Sequence, residues 1–196
     1  RRYRYSQQPN IALWNLHQLA QAFTLLNYDF SDSLEHYRTV FFAEWEKMNA
    51  AKLGLESFNR ELTQELDSII RGQETDMTLF YRGLAAAKTP EDLRESFYQE
   101  MTPETQERLT KWLAHWRRFS PDASVMNRVN PVFIPRNYLA QEAVDGLQNN
   151  DDSKLKALEA AMRTPYELNK NTEIFFKRRP EWARNRPGCS ALSCSS

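Results

Sequence analysis

The residues best suited to chemistry are two thiols. Cys189 and Cys194 are the only cysteines, and both lie in the last eight residues of the chain. A thiol in a polar segment near Arg184 and Arg186 is suited to thiol–disulfide exchange, because cationic neighbours favour the thiolate. Four residues separate the two cysteines, enough slack to close a loop between them. Residue chemistry alone leaves Cys194 open as either an incidental tail thiol or a redox handle. Other reactive side chains are scattered: His17, His36 and His115 fall on separate predicted helices without a ligand pattern. No His-Glu-x-x-His, Cys-x-x-Cys, Gly-x-Ser-x-Gly or Asp-Phe-Gly occurs, and the five glycines lack the spacing of a phosphate loop. Residues 170 to 188 are locally basic, with Lys170, Lys177, Arg178, Arg179, Arg184 and Arg186 against Glu173 and Glu181. They read as a solvated or docking tail ahead of a phosphate site. Nothing in the chain by itself specifies an active site.

Composition bounds the elements that would position these groups. At 196 residues the chain suggests one large or two small domains with a sizeable core. Lys plus Arg equals Asp plus Glu at 26 each, so no global field favours nucleic acid or an anionic membrane. No apolar run approaches the roughly 18 residues that span a bilayer, and no signal sequence opens the chain. With no disulfide framework in the body, a soluble chain in a cytoplasmic setting is expected. Arg1 is not an initiator methionine, so the chain is expected to be processed or a piece of something longer.

Few glycines and an excess of Leu, Ala, Glu, Gln, Arg and Lys point to an all-α fold. Pro9 opens a first helix carrying Ile11, Trp14, Leu16, Leu19 and Phe23 on one broad face. Ser31-Asp32-Ser33 caps a second, through Phe41 and Trp45 to about Leu53, with Gly54 as its stop. Phe58 to Ile70 and Asp76 to Ala87 follow. Thr89-Pro90-Glu91-Asp92 and Thr102-Pro103-Glu104-Thr105 are both helix-start signatures. They predict an antiparallel pair or a bend over Thr89 to Met101 and Thr102 to Phe119, with Leu109, Trp112, Leu113 and Trp116 facing inward. Ser120-Pro121-Asp122 ends this group.

The stretch Met126 to Ala143 is what the rest is arranged around. Pro131 and Pro135 push Asn130 and Ile134 out of the α region, so residues 130 to 134 should run extended and bury Val132, Phe133 or Ile134. A helix is expected from Pro135 to Leu147, then one capped by Asp151, Asp152 or Ser153 and stopped by Thr164-Pro165-Tyr166.

Asn130-Pro131-x-x-Ile134-x-Arg136-Asn137, followed by a short amphipathic helix, resembles the C-terminal part of the selenoprotein O family (SelO/YdiU). Arg2-Tyr3-x-Tyr5-x-x-Gln8-Pro9 with Trp14-Asn15-Leu16 is similar to the family segment that follows its kinase-like metal-binding Asp-Phe-Gly, although Arg1 stands where the family usually has Gly. Cys194-Ser195-Ser196 matches the family terminus in its cysteine form. The resemblance covers essentially the whole chain. It implies a protein adenylyltransferase of kinase-like, pseudokinase type, which transfers AMP from ATP to Ser, Thr or Tyr hydroxyls of proteins with Mg or Mn. The family's ATP-binding and metal-binding residues belong before Arg1, so none is carried over to this chain and no cofactor is expected to bind it.

The same resemblance implies the architecture and partners. Residues 1–120 would be a helical C-lobe segment, 121–135 an extended proline-punctuated connection, 136–169 a helical pair, and 170–196 a basic, flexible, cysteine-containing tail. Arg2 and Tyr3 would abut the activation-like segment. Cys194 would act as a redox handle, pairing with an upstream cysteine or, as a local alternative, with Cys189. The expected partners are the upstream kinase-like lobe and protein substrates, without nucleic acid or membrane. The competing expectation is an autonomous helical interaction module without catalysis.

Overall fold

The computed structural model describes residues 7–187 and 189. Eight α-helices carry the described chain: α1 (Gln8–Phe23), α2 (Ser31–Lys52), α3 (Arg60–Gly72), α4 (Met77–Leu84), α5 (Pro103–Arg117), α6 (Ala123–Val129), α7 (Asn137–Gln148) and α8 (Ser153–Met162). Among the described residues the one β-type pairing is an isolated antiparallel bridge between Thr75 and Phe97. The all-α expectation holds. None of these helices is long and apolar enough to cross a membrane.

The chain divides into two compact units, residues 1–49 and 50–196, a division the sequence reading did not draw. In the first unit, α1 opens at Gln8 with Pro9 in its first turn, and the Tyr37 hydroxyl donates to the Pro9 carbonyl at 3.3 Å. Tyr37 stacks on Phe41. The apolar face of α1 forms as its spacing requires, yet none of its residues is buried.

The second unit has two cores. Leu62, Leu66, Ile69, Phe80, Leu84, Phe97, Leu109, Trp112, Leu113 and Met126 lie in the larger one. Side-chain caps fix where its helices start: Asn59 accepts from Leu62 N–H, Thr102 from Thr105 N–H, and Asp122 from the Ser124 and Val125 amides. Both buried indoles are satisfied, Trp112 donating to the Leu62 carbonyl at 2.9 Å and Trp116 to the Leu53 carbonyl at 2.8 Å. Gly54 adopts φ +68°, and a Cβ there would lie 2.8 Å from the Asp122 backbone, so both conformation and space demand glycine.

Two expectations are corrected here. Thr89 to Met101 is not an α-helix: a 3-10 segment runs over Pro90–Ser96, and Phe97 then turns extended. Tertiary packing overrides the helix signal, since the bridge to Thr75 seats Phe97 edge-on against Phe80 at 6.0 Å, with 1 % of its surface exposed. The connection expected over 121–135 contains α6, capped by the same Asp122 that was read as a stop. Beyond α6 the chain is non-helical from Asn130 to Arg136, both of which are extended, as Pro131 and Pro135 favour.

The smaller core gathers Phe133, Tyr138, Leu139, Ala143, Leu158, Ala161, Ala183 and Cys189. Val132 and Phe133 are buried, and their amides donate to the Pro165 carbonyl at 2.8 and 3.1 Å. Helix α7 starts two residues after the expected Pro135. The flexible tail is also corrected: through residue 187 it is docked on the unit, with short 3-10 segments at Glu173–Phe175 and Glu181–Ala183.

Candidate functional site

The non-helical passage from Asn130 to Arg136, with Asn137 opening α7, carries the motif residues of the second unit. Asn130 caps the C-terminus of α6, its amide donating to the Met126 carbonyl. Its side chain is almost fully buried, and Nδ2 donates to the Lys52 carbonyl at 2.9 Å, 78 residues away in sequence. The Arg82 guanidinium donates to the Asn127 and Asn130 carbonyls at 2.5 and 3.2 Å. Asn130 therefore ties the end of α2, α4 and α6 together, and Pro131 directs the chain away from that knot.

At the other end of the passage, Arg136 forms a buried ion pair with Asp76. Nη2 lies 2.8 Å from Asp76 Oδ1, with 14 % and 5 % of the two side chains exposed. The carboxylate has two further donors. Leu79 N–H donates to Oδ1, as expected of an N-cap to α4, and the Tyr98 hydroxyl donates to Oδ2 at 3.2 Å. Arg136 also donates to the Lys177 carbonyl at 2.5 Å.

This second bond leads into a cluster of arginines from the docked tail. Arg179 Nη2 lies 2.9 Å from Glu74 Oε1, and Arg184 takes Glu74 Oε2. The Arg179 guanidinium also sits 4.7 Å over the Tyr98 ring, and its amide donates to the Tyr98 hydroxyl. Arg178 donates to the Phe97 carbonyl, and Arg186 pairs with Asp145 at 3.1 Å. Burial, and then the Asp76 charge, push the Tyr98 phenol above its ordinary range against the opposing pull of Arg179. Tyr138 is likewise raised, chiefly by burial, with the Arg136 charge opposing.

Glu74, Asp76, Tyr98, Arg136, Tyr138 and Arg179 border an open cleft of about 310 Å³ that also includes Asn137 and Cys189. Its carboxylates are already committed, Asp76 to Arg136 and Glu74 to Arg179 and Arg184. A divalent cation or a triphosphate would have to displace these pairs, so the cleft does not fit either group. No cluster of three or more His, Cys, Asp or Glu side chains that could hold a metal occurs among the described residues. Chemically the arrangement is a clamp that fastens a C-terminal strap to a helical body.

Of the residues singled out from sequence, Asn130, Pro131, Arg136 and Asn137 share this passage, while Gln8 and Pro9 start α1 in the first unit. Cys189 is buried in the smaller core as a free thiol, without the exposure that exchange chemistry needs. Arg2, Tyr3 and Cys194 lie outside the described residues. Sequence reasoning missed Glu74, Asp76 and Tyr98 as partners of the motif. The available signal was the choice of arginine over lysine at 178, 179, 184 and 186, since forked guanidinium groups suit fixed carboxylates and carbonyls.

The clamp fastens the strap to a helical body, and likeness to known proteins gives that body a family. The model of the protein adenylyltransferase SelO family matches residues 1–163. Proteins named "Protein nucleotidyltransferase YdiU" match the whole chain, at 40% identity in Aromatoleum aromaticum and in Xanthomonas axonopodis pv. citri and 39% in Rhodopirellula baltica. The chain belongs to the SelO/YdiU family, as its motifs indicated. It spans 41%, 42% and 43% of those three proteins, respectively, about two fifths of their length.

Proposed function

We propose that this chain is the helical C-terminal scaffold of a nucleotidyltransferase that moves AMP from ATP to Ser, Thr or Tyr hydroxyls of proteins. Family membership over residues 1–163, together with the names of the relatives, is the observation that carries this reading. Transfer of AMP breaks the α–β phosphoanhydride bond, joins the α-phosphorus to the attacking hydroxyl oxygen and releases pyrophosphate. Mg or Mn would neutralise the triphosphate during that step. Asp76 and Glu74, the acids of the candidate cleft, are held by arginines, and this supports assigning ATP and metal binding to the remaining three fifths of a protein of the relatives' length.

Within that reading the chain forms the C-lobe of a kinase-like fold and braces the upstream lobe. The support is the exposed apolar surface of the first unit, where Trp14, Leu19, Leu25, Leu26, Tyr28 and Phe42 are all exposed. An apolar surface of this kind on a helical pair calls for a protein neighbour. Cys194 is the redox handle of the reading, with protein substrates as the external partners.

The test is transfer of label from α-labelled ATP to protein in Mg or Mn, comparing this chain with a protein of the relatives' full length. Labelling by the longer protein alone is the expected result. Labelling by this chain alone would overturn the division of roles. Cys194→Ser in the longer protein should abolish the dependence of labelling on redox poise, and an unchanged dependence would remove the cysteine from the mechanism.

A further inference from the structure

The strap encloses a second concave surface, on the side of α7 and α8. Its groove of about 470 Å³ runs between those helices and residues 174–182. Leu139, Leu158 and Phe175 line it, and the side chains of Ile174 and Trp182 stand about half exposed at its edge. Such a surface suits one aliphatic or aromatic side chain inserted from outside.

The charges around the groove are one-sided. Lys154, Lys177 and Arg178 line it against a single carboxylate, Glu142. Lys154 is engaged by Glu142 at 3.5 Å, and Arg178 by the Phe97 carbonyl and by Glu95 at 3.6 Å. Lys177 differs: Arg136 holds its backbone carbonyl, while its ammonium has no hydrogen bond or ion pair among the described residues. The Trp182 indole N–H is in the same position, since the ring has aromatic and cation contacts but no acceptor.

We infer that this groove binds an acidic peptide segment, an extended stretch of polypeptide with an aliphatic or aromatic anchor flanked by Asp or Glu. The anchor enters between Leu139, Leu158 and Phe175, Lys177 pairs with a flanking carboxylate, and the Trp182 N–H donates to a peptide carbonyl. Phosphate-rich ligands fit less well. They need several unshared cations in a forked array, whereas Arg178 here is already shared and the chain as a whole is neutral. The inference holds whether or not the protein transfers nucleotides, because binding is read without ATP.

The experiment is fluorescence anisotropy of a fluorescein-labelled peptide, Asp-Asp-Leu-Phe-Asp-Asp, titrated with the full chain. Saturable binding is expected with Kd on the order of 10–100 µM, as for a small transient site. Lys177→Glu should weaken it at least tenfold, with an unchanged circular dichroism spectrum because the side chain is exposed. Trp182→Ala should also weaken it, and a peptide with Lys in place of Asp should not bind. Unchanged affinity in Lys177→Glu overturns the inference. So does saturable binding of decanoate or polyphosphate without binding of the acidic peptide, which would assign the groove to an amphiphile or to phosphate.

Discussion

Asp76→Ala is the perturbation that most directly tests the clamp. The carboxylate accepts from Arg136, from the Leu79 amide and from the Tyr98 hydroxyl. Losing an N-cap costs about 1 kcal/mol, and stranding a buried charge costs about 3–5 kcal/mol. Arg136 keeps one acceptor, the Lys177 carbonyl, and the cap and the ion pair share one carboxylate, so the two costs overlap. The expected loss is about 4 kcal/mol, a large part of the roughly 5–15 kcal/mol that holds a domain together. In urea, with a slope of about 2 kcal/mol per molar, the midpoint should fall by about 2 M. Asp76→Asn keeps the cap but not the charge, and should fall between wild type and Asp76→Ala. Adding Arg136→Met to Asp76→Ala should restore about 2 kcal/mol, since the stranded cation is then gone. Unfolding of wild type, Asp76→Ala, Arg136→Met and the double variant by far-ultraviolet circular dichroism and tryptophan fluorescence closes the double-mutant cycle. Additivity of the two substitutions within about 0.5 kcal/mol would show that Arg136 and Asp76 are not coupled and would refute the clamp.

Three further outcomes follow from other parts of the second unit. Burial, aided by the Asp67 charge, pushes the Tyr81 phenol up to about 12. Its folded pKa lies above its unfolded value of about 10, so the contribution to stability is intact below about pH 10 and is lost as pH rises to about 12. Alkaline urea titrations should therefore show a fall of about 2–3 kcal/mol across that window, and Tyr81→Phe should remove that part of the dependence. Gly54→Ala should cost about 2–4 kcal/mol, because φ is +68° and the new Cβ meets the Asp122 backbone at 2.8 Å; thermal unfolding reads it, and a neutral result would contradict the tight turn. Glu74→Gln weakens the hold on Arg179 and Arg184 and should speed tryptic cleavage after Arg184 and labelling of Cys189 by a maleimide, with little change in the global midpoint.

What was legible in the sequence was what local chemistry decides. Thr102-Pro103-Glu104 starts α5, Gly54 stops the chain beyond α2, and Pro131 with Pro135 enforces the extended passage, because each acts through its own backbone. Thr89-Pro90-Glu91-Asp92 carried the same signal yet gave only a 3-10 segment. Asp92 does accept from the Thr89 amide as a helix start requires, but Phe97, seven residues past Pro90, is taken by a partner that no local window contains. Asp122 was read as a stop although it also caps α6, since Asp serves either end of a break.

The clamp was the least legible part, and the reason is separation along the chain. Arg136 meets Asp76 across 60 residues, and Arg184 meets Glu74 across 110. Each acid sits in the short connection between α3 and α4, where solvation is the ordinary state of a carboxylate, and Arg184 sits in a segment whose charge alone describes a solvated tail. The difference between those descriptions lies in side-chain type. Lysines keep their hydration on a surface, whereas guanidinium groups lose less by being desolvated and can hold a carboxylate with one edge and a carbonyl with another. Arg136 does both at once, with Asp76 and the Lys177 carbonyl. It thereby couples the motif of the extended passage to the strap that follows it 41 residues later, and for that coupling Lys at position 136 would not substitute, since a single ammonium cannot present the planar fork that both acceptors use.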